Sequence, residues 1–190
     1  MRTNREWVVV DVETTGADPQ TCRMLSVAAL ALSPAGTIVD TMSTLLNPGV
    51  DPGPTHIHGL TPAALAGAPQ FHHISADLAA VVRGRTLVAH NADFDHGFLA
   101  AEARRGATDI PVDHLLCTVE LADRLQLGLA NLRLATLARH YGVDQSHPHD
   151  ALDDATVLAR IFRQMLADAS RAAVPLPIRP AKDPTTRLSA

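Results

Sequence analysis

Apolar residues fill both sides of the segment from Trp7 to Glu13: Trp7 and Val9 face one way, and Val8, Val10 and Val12 the other. A strand that is apolar on both faces belongs in the middle of a sheet covered on both sides. Met24–Leu32 and Thr37–Leu46 are two further strand patterns, joined by Ser-Pro-Ala-Gly, a turn-forming run. Together the three predict an antiparallel meander. Thr86–Ala89 is a short apolar run that reads as a buried strand, and Asp113–Cys117 reads as a fifth.

The remaining periodic segments are helical. Thr61 followed by Pro62 is a helix start, because threonine caps and proline fits the first turn. Further helices are expected over 74–82, 94–103, 119–125, 132–141 and 151–169. Strands first, then strand–helix alternation, predict an α/β sandwich around a mixed sheet. After Arg171 the pattern stops, and prolines at 175, 177, 180 and 184 stand among scattered basic residues. One domain over residues 1–170 and a flexible tail over 171–190 are therefore expected.

Composition narrows the classes. With 46% hydrophobic and 19% charged residues among 190, the chain is long and apolar enough to bury a full core. No apolar run approaches a membrane span or a secretory signal, so a cytoplasmic protein with no membrane partner is the expectation. Two cysteines, Cys22 and Cys117, lie far apart, which argues against a disulfide framework or a structural zinc site. The ten histidines show no zinc spacing, and His72-His73 at a helix start is expected on the surface. A net charge of −4 argues against a broad basic face for duplex nucleic acid, though a single strand needs only a local groove.

Candidate chemistry lies in three places. Asp11 and Glu13, two apart at the C-terminal end of the first strand, leave the same face and repel each other unless a cation lies between them. Asp95 shares a helix face with Phe98 and Leu99, where a carboxylate needs a partner. Asp93 reads instead as that helix's N-cap. Asp154 heads the stripe Val157, Leu158, Ile161, Met165 and Leu166, while Asp153 points to a more exposed side and Asp150 suits the helix start. His149, five residues before Asp154, can reach the same place, and imidazole accepts a proton near neutral pH. Phe94, Phe98 and Phe162 read as core residues.

Three motifs in this order, V-D-V-E-T-T-G, H-N-A-D-F-D and H-D-A-L-D-D-A, with I-H-G-L-T between the first two, resemble those of the DEDDh family of 3′–5′ exonucleases. That family includes the proofreading subunits of bacterial replicative DNA polymerases and several DNA- and RNA-trimming enzymes. The resemblance spans roughly residues 7–169. It implies an RNase H-like fold with a central five-stranded mixed sheet flanked by helices. It also implies that Asp11, Glu13, Asp95 and Asp154 hold two Mg²⁺ or Mn²⁺ ions while His149 takes the proton from the attacking water. Oxygen ligands favour such hard cations over zinc. Thr14, Thr15 and Gly16 would bring backbone N–H groups to the terminal nucleotide, and His58 and Leu60 would line the pocket for its base. For His58 a loop-stabilising hydrogen bond is the alternative. The expected partner is the 3′ end of single-stranded or frayed DNA, with RNA ends second, and a DNA polymerase is an open possibility. Cys117 stands where the family often has an aspartate before threonine.

Two rivals compete. An aspartyl-phosphate phosphatase would need aspartate where Glu13 stands and a lysine within the fold, whereas the one lysine is Lys182 in the tail. A non-catalytic module binding 3′ ends or a polymerase would be marked by loss of a metal ligand, and all five positions are filled.

Overall fold

The computed structural model describes residues 6–181. It contains β1 (Trp7–Thr14), β2 (Met24–Leu32), β3 (Ile38–Leu45), α1 (Thr55–His58), α2 (Pro62–Leu65), α3 (Phe71–Val82), β4 (Thr86–Ala89), α4 (Ala92–Arg105), β5 (His114–Cys117), α5 (Thr118–Leu125), α6 (Leu134–Tyr141), α7 (Ala151–Arg171) and β6 (Ile178–Pro180). The strands form one sheet in the order β3-β2-β1-β4-β5-β6. The three-stranded meander is present, and β1, β4 and β5 run parallel.

The alternation of β1 divides the core as its sequence predicts. Trp7 and Val9 join Leu30, Leu32 and Val88 beneath α5, α6 and α7. Val8, Val10 and Val12 join Val27, Leu87 and Leu115 beneath α3 and α4. Helices on both faces explain why every residue of β2 is buried, while β3, an edge strand, is mostly exposed. The Trp7 and Phe162 rings meet edge to face, with centroids 5.2 Å apart, and lock α7 across the sheet.

The sheet has six strands where five were expected. The sixth comes from the segment expected as a flexible tail: Ile178–Pro180 pairs antiparallel with β5, and Arg179 reaches Asp93 at 2.7 Å. Proline is tolerated there because the strand is short and lies at the edge. Residues 182–190 of that expected tail lie outside the described residues. Asp93 is not the N-cap of α4 either. Asn91 occupies the cap with φ 88°, a left-handed conformation that asparagine adopts more readily than most residues, and Asp93 falls in the first turn. The short helix α1 was not anticipated, and α3 starts at Phe71, where Gln70 and His73 form a reciprocal cap. His72 and His73 are exposed, as expected. No helix among the described residues is long and apolar enough to cross a membrane.

Phe162 is fully buried beneath Trp7. Phe162→Ala should cost about 3–5 kcal/mol, read as a lowered urea midpoint at an unchanged slope.

Candidate active site

β1 outruns its parallel neighbour. It pairs with β2 along its whole length but with β4 only at Trp7–Val9, so its C-terminal half has one free edge. β4 ends at Ala89 and the chain turns into α4, opening a crevice at the carboxyl ends of the parallel strands, where α/β sheets place ligands. Asp11 and Glu13 enter from the β1 face that carries α7. Asp95 enters from α4 on the opposite face and accepts the Val12 N–H that the missing strand leaves free. Asp154 comes from the first turn of α7. Side chains from both layers thus meet around the end of one strand.

A pocket of about 380 Å³, within the size range of small-ligand sites, is lined by Asp11, Glu13, Asp95, Asp154 and His149 together. Ligand atoms of Glu13, His149 and Asp154 lie within 4.8 Å of one another. Helical phase distinguished the acids of α7 correctly. Asp154 is buried at 8% exposure, Asp150 caps the helix by accepting from the Leu152 and Asp153 N–H groups, and Asp153 stands further out.

Among the described residues no lysine or arginine lines the pocket, and the consequence is visible in every acid. Burial, followed by repulsion from Asp95, Asp154, Glu13 and Asp150, holds the Asp11 carboxyl well above the usual range. Burial, then Asp154 and Asp150, pushes Glu13 up to about 7. Asp95 is pushed up to about 8 by burial, against the opposing pull of its own and the Val12 backbone N–H groups. Burial also raises Asp154, opposed by the Gln145 side chain and the His149 N–H. Four carboxylates and an imidazole, with no lysine or arginine beside them among the described residues, form an oxygen-rich donor set that fits a hard divalent cation.

The loops around the pocket fit closely. Gly53 has φ 77°, and a Cβ there would lie 2.4 Å from the Thr15 carbonyl oxygen, so only glycine fits. A Cβ on Gly16 would meet Cys22 Sγ at 2.7 Å. His149 itself has φ 66°, a conformation uncommon without glycine, held by its N–H donating to Asp154 Oδ2 at 3.1 Å. Its side chain is exposed at the mouth.

Of the substrate-contacting candidates, Thr14, Gly16 and His58 line the pocket, whereas Thr15 and Leu60 do not. The Thr15 hydroxyl accepts from the Arg23 N–H and ties the loop to itself. His58 spends both ring nitrogens internally: Nε2 donates to the Pro52 carbonyl at 3.2 Å, and Nδ1 accepts from the Leu60 N–H at 3.1 Å. Its ring can therefore offer a surface to a ligand but no free nitrogen. Sequence reasoning missed Ile57, 49% exposed, and His90, both on the wall. It also assigned Phe94 to the core, whereas that ring packs on Phe98 but stays half-buried and lines the pocket. Burial lowers the His90 pKa, and Nδ1 lies 3.0 Å from the Thr118 hydroxyl.

A buried ion cluster, which no local pattern announced, fixes the loop between β1 and β2. Glu102, 2% exposed, accepts from Arg23 Nε at 2.7 Å and Nη2 at 3.0 Å, from Arg105 Nη1 at 3.2 Å and from the Met24 N–H. Arg105 also donates to the Pro19 and Gln20 carbonyls, and Arg23 to that of Pro48. Thus α4 holds the loop that follows Thr14.

Two outcomes follow from this geometry. Glu102→Ala takes the carboxylate from two half-buried guanidinium groups that keep their backbone acceptors, and should cost about 1–3 kcal/mol in denaturant unfolding. Glu13 and Asp95 bind protons more tightly folded than unfolded, so with metal chelated the stability should fall as pH rises, from the usual 4.5 towards about 7 for Glu13 and from 3.8 towards about 8 for Asp95. Below the unfolded values both states are protonated and the penalty vanishes; above the folded values it is complete. Melting curves should therefore show a larger Mn²⁺-induced rise near about pH 8 than near about pH 5.

A family model described as an exonuclease matches residues 8–162. The chain is 33% identical over 162 residues to the DNA polymerase III subunit epsilon of Treponema pallidum, covering 83% of this chain and 74% of that one. It is 32% identical over 163 residues to the PolC-type DNA polymerase III of Caldanaerobacter subterraneus subsp. tengcongensis, covering 85% of this chain but spanning only 12% of that polymerase's length. The nuclease domain of 3'hExo, a DEDDh family member solved bound to rAMP, superposes with a TM-score of 0.74 at 17% identity, over 93% of this chain and 96% of that one, and so shares its fold. The chain belongs to the exonuclease family.

Proposed function

We propose that this chain hydrolyses the terminal phosphodiester at the 3′ end of single-stranded or frayed DNA and releases 5′-mononucleotides. The observation that carries this reading is the gathering of Asp11, Glu13, Asp95, Asp154 and His149 in one pocket with no lysine or arginine among the described residues. Asp11, Glu13 and Asp154 would hold one Mg²⁺ or Mn²⁺ ion, and Asp11 with Asp95 a second. Bound divalent ions supply charge neutralisation at the phosphate and at the departing 3′-oxygen.

The protein's own groups do the rest. His149 Nδ1 or Nε2 accepts the proton of the attacking water, from a position beside Glu13 and Asp154. Water adds to phosphorus, the bond to the 3′-oxygen breaks, and the phosphate leaves with the mononucleotide. Ile57 and Phe94 present apolar surface for the terminal base, and such contacts tolerate any sequence. The Thr14–Gly16 turn offers backbone close to the sugar. DNA is favoured because the relatives named above are components of DNA polymerase III. They also support proofreading beside a polymerase as the setting. RNA ends are the second reading, supported by the rAMP bound to the like-folded 3'hExo domain.

Asp11→Ala and Asp154→Ala should each abolish Mg²⁺-dependent nucleotide release from a 3′-labelled oligonucleotide. Asp11→Ala should do so with no fall in melting temperature, since it removes a buried repelling group. Asp154→Ala also strips Gln145 and the His149 N–H of their acceptor and should lower the melting temperature. Full activity in both variants, or in excess EDTA, would refute the site. His149→Ala should lower kcat by about 10²–10⁴-fold while Mn²⁺ affinity changes little. Matched DNA and RNA oligonucleotides under the same conditions decide the substrate, and faster release from RNA would reverse the assignment.

A further inference from the structure

Among the described residues, Asp154 is the one of the four acids held by another side chain. Gln145 Nε2 donates to Asp154 Oδ1 at 2.6 Å, a short charge-assisted bond, while the His149 N–H holds Oδ2 at 3.1 Å. Only the amide nitrogen of glutamine can face a carboxylate oxygen, because its carbonyl would be repelled, so the carboxylate also sets which way the Gln145 amide lies. Gln145 is half-buried and comes from the loop between α6 and α7, which also carries His149. The same loop is anchored a second time, where the Ser146 and His147 N–H groups donate to Asp153 Oδ2 at 3.1 and 2.9 Å. The acids of the first turn of α7 therefore hold the loop, and the loop in return holds Asp154.

We infer that Gln145 is a positioning residue for the metal centre: its amide fixes the plane of the Asp154 carboxylate so that the remaining lone pairs point toward Glu13. Each carboxylate oxygen can accept a hydrogen bond and still offer a second lone pair to a cation. A carboxylate free to rotate in the first turn of a helix loses that preorganisation, and partners of this kind typically alter metal affinity by about 10–100-fold. Gln145 touches no substrate and does no proton transfer, and its effect passes through Asp154. This role rests on the metal-dependent reading above and adds a residue to it.

The test uses Gln145→Met, which keeps the length of the side chain and removes the donor. Calorimetric titration of the metal-free protein with Mn²⁺ should give a dissociation constant about tenfold above that of the wild type, with the metal-free melting temperature little changed. In nuclease assays the Mn²⁺ concentration for half-maximal rate should rise by the same factor, while kcat at saturating Mn²⁺ returns to within about twofold of wild type. A loop that had collapsed would not be rescued by excess metal. Mn²⁺ affinity within twofold of wild type in Gln145→Met, or a kcat that saturating metal fails to restore, would overturn the role of Gln145 and leave the metal site standing. Failure of the wild-type protein to bind Mn²⁺ would overturn both.

Discussion

Mutual repulsion among four carboxylates is the constraint around which this molecule is arranged. Asp11, Glu13, Asp95 and Asp154 share one pocket that no lysine or arginine among the described residues lines, and burial pushes the carboxyl groups upward before repulsion adds to it. A chain left to itself would separate such groups. The fold keeps them together by delivering each from a rigid element: two from a central strand, one from α4 on one face and one from α7 on the other. The strand can serve both layers because β4 stops short of its end, so a side chain can reach around its free edge. The core supports this arrangement, with Trp7 and Phe162 locking α7 above β1 and Phe98 and Leu99 seating α4 below it.

The loops inherit the same problem and solve it with backbone donors. Asp150, Asp153 and Asp154 stand together at the start of α7, yet each accepts N–H groups from the helix or the loop before it. The acids that crowd the site thereby also fix the position of His149. On the opposite side, Glu102 and its two arginines bind the segment after Thr14 to α4, and Gly53 allows a neighbouring loop to lie directly on Thr15. An anionic substrate of the kind proposed would meet an acidic pocket in a protein whose net charge is −4, so cations at the site would serve attraction as well as chemistry.

Much of this was legible in the chain before any coordinates. The both-sided apolar run of β1 announced a central strand, and the alternation of Trp7 and Val9 against Val8, Val10 and Val12 matched the two halves of the core. Asp154 was separable from Asp150 and Asp153 because a helix brings positions three and four apart onto one face. The same phase set Asp95 beside Phe98 and Leu99. Asp93 was misread because an aspartate before a helix is a common cap, and nothing local announced that Asn91 would take the left-handed turn instead.

What the sequence determined by itself was the set of side chains sharing a face, since strand and helix periods are properties of a few consecutive residues. Tertiary structure alone decided which distant groups meet. Glu102 lies 79 residues from Arg23, Arg179 lies 86 from Asp93, and Ile178–Pro180 becomes a strand only because β5 offers it an edge. His58 could have faced a ligand with a free nitrogen, but the Pro52 carbonyl and the Leu60 N–H take both ring nitrogens. Gln145 carries no pattern that points to Asp154, and its amide finds that carboxylate because the loop folds back over the helix it precedes. Such pairings depend on chain segments packing together in space, and local periodicity carries no record of them.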